Sequence, residues 1–242
     1  MKLKILMILF AAALMLAGPL PAGHAAEPAL VGEVPVRLSA PQGLTRVDGR
    51  HAGADAYIAS VAKKFRMTVL AVYARPAEWD KFVAEAGAGR PASIPQYAMI
   101  LTTAKMATKK FSDRDARREF KRFDNLFTLT ANNRPMAALL TSKGNAKLKE
   151  RMGVDIGFVF NIGPQTKKIA DSSRSISFGA EVDFNVFGKP SAVYLTTAAL
   201  QVSDKLVFLS FFENREAGRS FADIQGRAEA WRAAMSSANA GK

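Results

Sequence analysis

Hydrophobic and polar positions along this chain run in two rhythms, and the changes between them outline its elements. Val34-Pro-Val-Arg-Leu-Ser-Ala40 alternates apolar and polar residues, which predicts a strand, and Pro35 assigns it to an edge. Pro41-Gln-Gly43 is a turn signal, and Leu44 to Val47 reads as the returning strand. The period then lengthens: Tyr57, Ile58, Val61 and Phe65 fall at helical spacing within Ala54 to Phe65. Met67 to Tyr73 is apolar on both faces, as a buried central strand requires. Pro76 suits the first turn of a helix, and Ala77 to Ala86 gathers Trp79, Phe82 and Val83 on one side. A Gly/Pro/Ser loop over 87–95 leads to another strand, Tyr97 to Ala104.

Ser112-Asp113-Arg114-Asp115 resembles a capping box with aspartate in place of glutamate, and its acids sit in the positive first turn of the helix that follows. Ala116, Phe120, Phe123 and Phe127 form that helix's core stripe, while Arg114, Arg117, Arg118, Lys121 and Arg122 occupy its other faces. A second basic helix runs from about Arg134 to Met152, with Pro135 in its first turn and Gly153 as its stop. The rhythm then returns to strands over Val154 to Ile162, Ser175 to Phe187, Ala192 to Val202 and Leu206 to Phe212. Phe187-Gly-Lys-Pro190 and Ser203-Asp204 separate the last three, which predicts an antiparallel meander. Phe221 to Asn239 closes the chain as an amphipathic helix with Ile224, Ala228, Trp231 and Met235 inward.

This order predicts one α+β domain over 34–240, a mostly antiparallel sheet flanked by helices as an α/β/α sandwich, with the basic helical segment at 112–152. The opening strand with its Pro41-Gln-Gly43 turn resembles the start of the PsbP-like α/β/α sandwich families. The long hairpin over Ser191 to Phe212 ahead of a terminal helix carrying Trp231 resembles their ending. The helical insert from Ser112 to Met152 is longer than in that fold. The resemblance implies the fold and a role in binding or assembling other proteins, and it implies no catalytic residue.

Composition adds compartment. Lys2 and Lys4 precede an unbroken apolar run from Ile5 to Ala17; Gly18-Pro-Leu-Pro21 breaks it, and small residues three and one before a cut end it after Ala25 or Ala26. Residues 1–26 thus read as a signal peptide and 27–33 as a mobile polar lead. The run is shorter than the ~20 residues a spanning helix needs, and no later stretch of membrane-spanning length is free of charge. The chain has no cysteine, so it holds neither a lipobox thiol nor disulfides. The expected product is a periplasmic or secreted protein with no integral span. Its net charge of +13, of which Lys2 and Lys4 supply two, favours anionic partners such as acidic headgroups, polyanionic glycans or an acidic protein face. Export argues against nucleic acid.

Chemistry is mostly excluded. Without cysteine there is no thiol nucleophile or Cys-based zinc site, and His51 is the one histidine beyond the signal. It lies in Asp48-Gly-Arg-His-Ala-Gly53, a turn-like stretch; as a base it would need an orienting acid and a nucleophile in reach. No Gly-x-Ser-x-Gly elbow, Ser-x-x-Lys, Gly-x-Gly-x-x-Gly or calcium loop occurs, so no catalytic, metal or cofactor site is assigned. Scattered acids, among them Glu78, Asp80, Asp155 and Asp183, leave a carboxylate-dependent hydrolase of glycan or peptidoglycan as the alternative. The leading expectation is a non-enzymatic binding or assembly protein of the bacterial cell envelope. Arg114, Arg117, Arg118, Lys121 and Arg122 are the candidate surface for an acidic protein or other anionic envelope component, set against a merely solvated face.

Overall fold

A computed structural model describes residues 29–88, 93–152, 156–161, 167–186, 189–215 and 218–240. The predicted signal peptide and the predicted stop at Gly153 lie outside them. The lead expected to be mobile instead holds a strand from Ala29: β1 (Ala29–Val31) pairs antiparallel with β2 (Val34–Val36). Gly32 turns this hairpin at φ +63° with the Ala107 carbonyl so close that no Cβ fits. Leu44 to Val47 is therefore not the return of β2. Its strand, β3 (Thr45–Arg46), pairs instead with β4 (Met67–Ala74).

Helix α1 (Ala52–Lys64) leads into β4, α2 (Pro76–Gly87) follows it, and β5 (Gln96–Thr103) comes next. A short α3 (Ala104–Thr108) precedes the two basic helices, α4 (Asp113–Ala131) and α5 (Arg134–Met152). Ser112 caps α4 by accepting the Asp115 N–H at 3.2 Å. Strands β6 (Ile156–Asn161), β7 (Lys167–Asp171), β8 (Ser175–Val186), β9 (Lys189–Val202) and β10 (Lys205–Asn214) follow, then α6 (Phe221–Ala238). The polar β7 went unread in the sequence.

All pairings are antiparallel, in the order β3-β4-β5-β10-β9-β8, with β6 and β7 both lying along the long β8. The fold is α+β, one open sheet with helices on both faces. The predicted meander is β8-β9-β10. Leu70 to Ala74 is buried on both faces as expected, whereas Thr68 is exposed and Val69 half-buried, and the strand stands second from the edge and not at the centre.

Alternation along the strands divides the core in two. One layer takes Val72, Met99, Leu101, Phe208 and Phe212 from the sheet and closes with Val61, Trp79, Phe120 and Leu148 of α1, α2, α4 and α5. The other takes Tyr73, Ile100, Leu209 and Phe211 and closes with Ile224, Trp231 and Met235 of α6 and Val31 and Val36 of the hairpin. A bulge between Val69 and Ala71 puts Leu70 and Ala71 together in this second layer.

Helix α6 is fixed from both sides. Trp231 Nε1–H donates to the Ser39 carbonyl at 2.6 Å, and Asn239 exchanges hydrogen bonds with the Arg37 backbone at 2.9 and 3.0 Å. At its other end Glu213, with a side chain 1 % exposed, pairs with Arg219 at 3.1 Å and Arg227 at 3.5 Å and accepts from Gln96. Arg227 also donates to the Gln42 carbonyl and lies over the Phe211 ring. Its side chain is partly desolvated, which lowers its pKa from the ordinary value.

The tip of the Phe221 ring lies against Gly179 of β8, where a Cβ would come within 2.5 Å of Cζ and 3.1 Å of Ile169. Gly179→Val therefore overpacks the junction of β7, β8 and α6. It should cost about 1–3 kcal/mol, read as a lowered midpoint in chemical denaturation at unchanged m.

Candidate functional site

The turn from α1 into β4 is tight, so the two elements run back to back and leave an open groove of about 800 Å³ between them. Asp48, Gly49 and Asp55 stand at the end where α1 begins, and Lys63 and Arg66 at the end where it stops. Between them Ile58, Ala59 and Ala62 of the helix face Met67, Val69 and Val72 of the strand. Ile58 and Ala62 belong to the helix's buried core stripe and form the floor, while Ala59 stands exposed beside them.

At the acidic end every carboxylate has work to do. Asp48 receives Arg46 Nε at 2.9 and 3.0 Å and the Val72 N–H at 2.9 Å, so it substitutes for a strand neighbour of β4. Asp55 accepts the Gly49 N–H at 2.8 Å; its burial raises its pKa above the usual aspartate value. Both are tied to the same short loop at one end of the groove, whereas a two-carboxylate hydrolase needs its acids on either side of the scissile bond.

His51 does find an acid, and not one of its sequence neighbours. Its Nε2 lies 2.6 Å from Oδ1 of Asp80 on α2, and Arg50 pairs with the same carboxylate at 2.9 Å. Arg50 chiefly, then His51, holds the Asp80 pKa below the usual aspartate value. No hydroxyl within hydrogen-bonding distance of the imidazole completes a nucleophilic set among the described residues, so the cluster joins the start of α1 to α2. Nothing in the sequence signalled it, since His51 and Asp80 are 29 residues apart. Among the described residues no group of three or more histidines and carboxylates gathers as metal ligands.

The five basic positions lie elsewhere. Arg114, Arg117, Arg118, Lys121 and Arg122 are all exposed on α4, while Ala116 and Phe120 are buried beneath them and Phe123 and Phe127 partly so. Arg118 pairs with Asp115 at 3.8 Å and Arg122 with Glu119 one turn away. Arg114, Arg117 and Lys121 have no carboxylate partner among the described residues. Helix α4 packs over β7 and β8, so this face and the α1–β4 groove belong to opposite edges of the sheet.

Comparison with family models, curated proteins and solved structures finds no match for the chain. Among the described residues no helix is long and apolar enough to cross a membrane.

Because the Asp80 pKa is depressed, its pairing favours the folded chain at and above the ordinary aspartate value and fades as pH falls below it. Carboxyl carbon NMR should find Asp80 titrating below the ordinary aspartate value. Arg50→Gln should move that titration upward, and by more than His51→Gln does.

Proposed function

We propose that this is an exported, non-enzymatic binding or assembly protein of the bacterial cell envelope, periplasmic or secreted, that engages an acidic protein or other anionic envelope component. The observation that carries the reading is the α4 face: five exposed cations on one helix, three of them without a carboxylate partner among the described residues. Exposed cations left unneutralised project a positive field that attracts an acidic surface at little cost in desolvation. The three-layer arrangement, with the β9–β10 hairpin running into α6, supports the resemblance to PsbP-like families and with it a binding role. The short apolar run at the N-terminus, with its breaker and small-residue end, supports export.

The test is capture from envelope extract at low and high salt. Binding through α4 should fall steeply between ~0.1 M and ~1 M salt, as the screening length contracts from ~10 to ~3 Å. Replacing Arg117, Arg118, Lys121 and Arg122 together by glutamine should abolish it, while thermal unfolding stays nearly unchanged because exposed pairs contribute little. Capture insensitive to both salt and the fourfold change removes the α4 face from the interface. Turnover of peptidoglycan that depends on a pair of carboxylates overturns the non-enzymatic reading.

A further inference from the structure

The outer edge of β4 is left open where the groove runs. β3 is only two residues long and meets β4 at Ala74 and Tyr73. Beyond it, Val47 and Asp48 satisfy the Val72 backbone, and Arg46 Nη2 donates to the Leu70 carbonyl at 3.1 Å. The Ala104 N–H donates to the Arg66 carbonyl, so Arg66 and, two residues on, Thr68 turn their backbone toward β5. Met67 and Val69 consequently present their N–H and C=O groups outward. Neither backbone meets a partner among the described residues. An unpaired edge of this kind is a template for another strand unless the chain blocks it. The opposite edge carries exposed Lys167 and Lys168 on β7, whereas Met67-Thr68-Val69 has neither charge nor proline.

Arg66 supplies a second observation. It follows the last turn of α1 with φ +57°, and its N–H closes that turn onto the Lys63 carbonyl at 3.0 Å. Glycine is the residue that occupies this left-handed position without strain. The arginine there is exposed beside an exposed Lys63 and has no carboxylate partner among the described residues, so a strained position holds a charge open to an anion.

We propose that the open edge of β4 and the groove beside α1 take up a short extended segment of a partner protein as an added strand, with an acidic side chain of that segment received by Lys63 and Arg66. Free backbone donors and acceptors at Met67 and Val69 call for an extended peptide; an acyl chain has nothing to offer them. Alternate side chains of the added strand lie in the groove beside Ala59, Thr68 and Val69, over a floor of buried Ile58, Ala62 and Val72, and the groove's volume is in the range of small-ligand sites. At the far end Asp48 is already paired with Arg46 and Asp55 repels a carboxylate, which leaves the Arg66 end to receive it and sets the direction of the segment. This site goes beyond the α4 surface and is independent of it.

The test uses the full chain and a pool of fluorescein-labelled, C-terminally amidated seven-residue peptides with valine or isoleucine at every second position, serine between them and one aspartate at either end. Saturable binding is expected, with amide chemical-shift changes at Met67 and Val69. Affinity should drop about tenfold or more on changing the aspartate to asparagine, or with Lys63→Gln or Arg66→Gly. N-methylation of alternate peptide amides should abolish binding. Arg66→Gly also separates function from structure: relieved of backbone strain, this variant should melt about 2–4 °C higher while binding the probe more weakly. The fourfold glutamine variant of α4 should bind the probe as the unaltered chain does, so failure here and failure of the α4 reading are distinguishable. Absence of binding by every pool member, indifference to N-methylation, shifts confined to α4, or displacement of the probe by oleate without shifts at Met67 and Val69 would each overturn the proposal.

Discussion

A carboxylate buried between the sheet and its single-helix layer governs how this molecule closes. Glu213 sits at the end of β10, cross-strand from Gln96, where water is excluded. Taking an ionised carboxylate out of water costs several kcal/mol, and only well-placed donors offset it. Gln96 from β5 and Arg219 from the loop before α6 donate to Glu213, and Arg227 from α6 itself adds a second cation at 3.5 Å. Arg227 then holds the Gln42 carbonyl, so the turn after β2 is drawn into the same network. Apolar contact alone would let α6 slide along Leu209, Phe211 and Tyr73; a directional set of charges allows one position. The docking of Trp231 on Ser39 and of Asn239 on Arg37 depends on that position being held.

On the other face the helices leave the edges of the sheet in different states. α4 and α5 pack over β6, β7 and β8 and turn a basic surface outward. α1 packs over β4 and leaves its strand edge bare, because β3 stops after two residues and side chains of Arg46 and Asp48 take over part of its role. The bulge at Leu70 is needed for this. By sending two successive residues into the α6 layer, it changes which backbone groups of β4 face outward on either side of it. Loop 48–51 is held down by the Asp55–Gly49 and His51–Asp80 contacts, so the groove's acidic wall is set by α1 and α2 together.

Periodicity was enough to read α1, α2, α4 and α6, because each has apolar residues at three- and four-residue spacing; α5 was legible from Pro135 at its start and its basic residues, and not from an apolar stripe. Periodicity was enough for β8, β9 and β10 as well, since short polar punctuation leaves a meander little choice. It failed where tertiary contact and not local pattern makes the strand. β7, Lys-Lys-Ile-Ala-Asp, is a strand because β8 offers it an edge. Ala29–Val31 is a strand because Val31 and Val36 bury under the same layer as Trp231. The position of Met67 to Ala74 next to an edge was equally hidden, because burial on both faces looks the same in sequence wherever the strand stands. At the groove, the missing glycine after Lys64-Phe65 was the available signal: a helix that turns straight into a strand without one implies a residue under strain, here Arg66. Asp80 had no signal, since partnership with His51 is a product of how α2 folds back over β4.

The hydrogen bonds between Arg37 and Asn239 join residues 202 positions apart. They lie at the two ends of the folded unit, and the layer they complete contains both the first strands and the last helix. The sheet's second face therefore stays uncovered until Phe221–Ala238 docks on it. Closing this layer is a long-range event, in which the entropy of bringing distant segments together is lost before their contacts offset it.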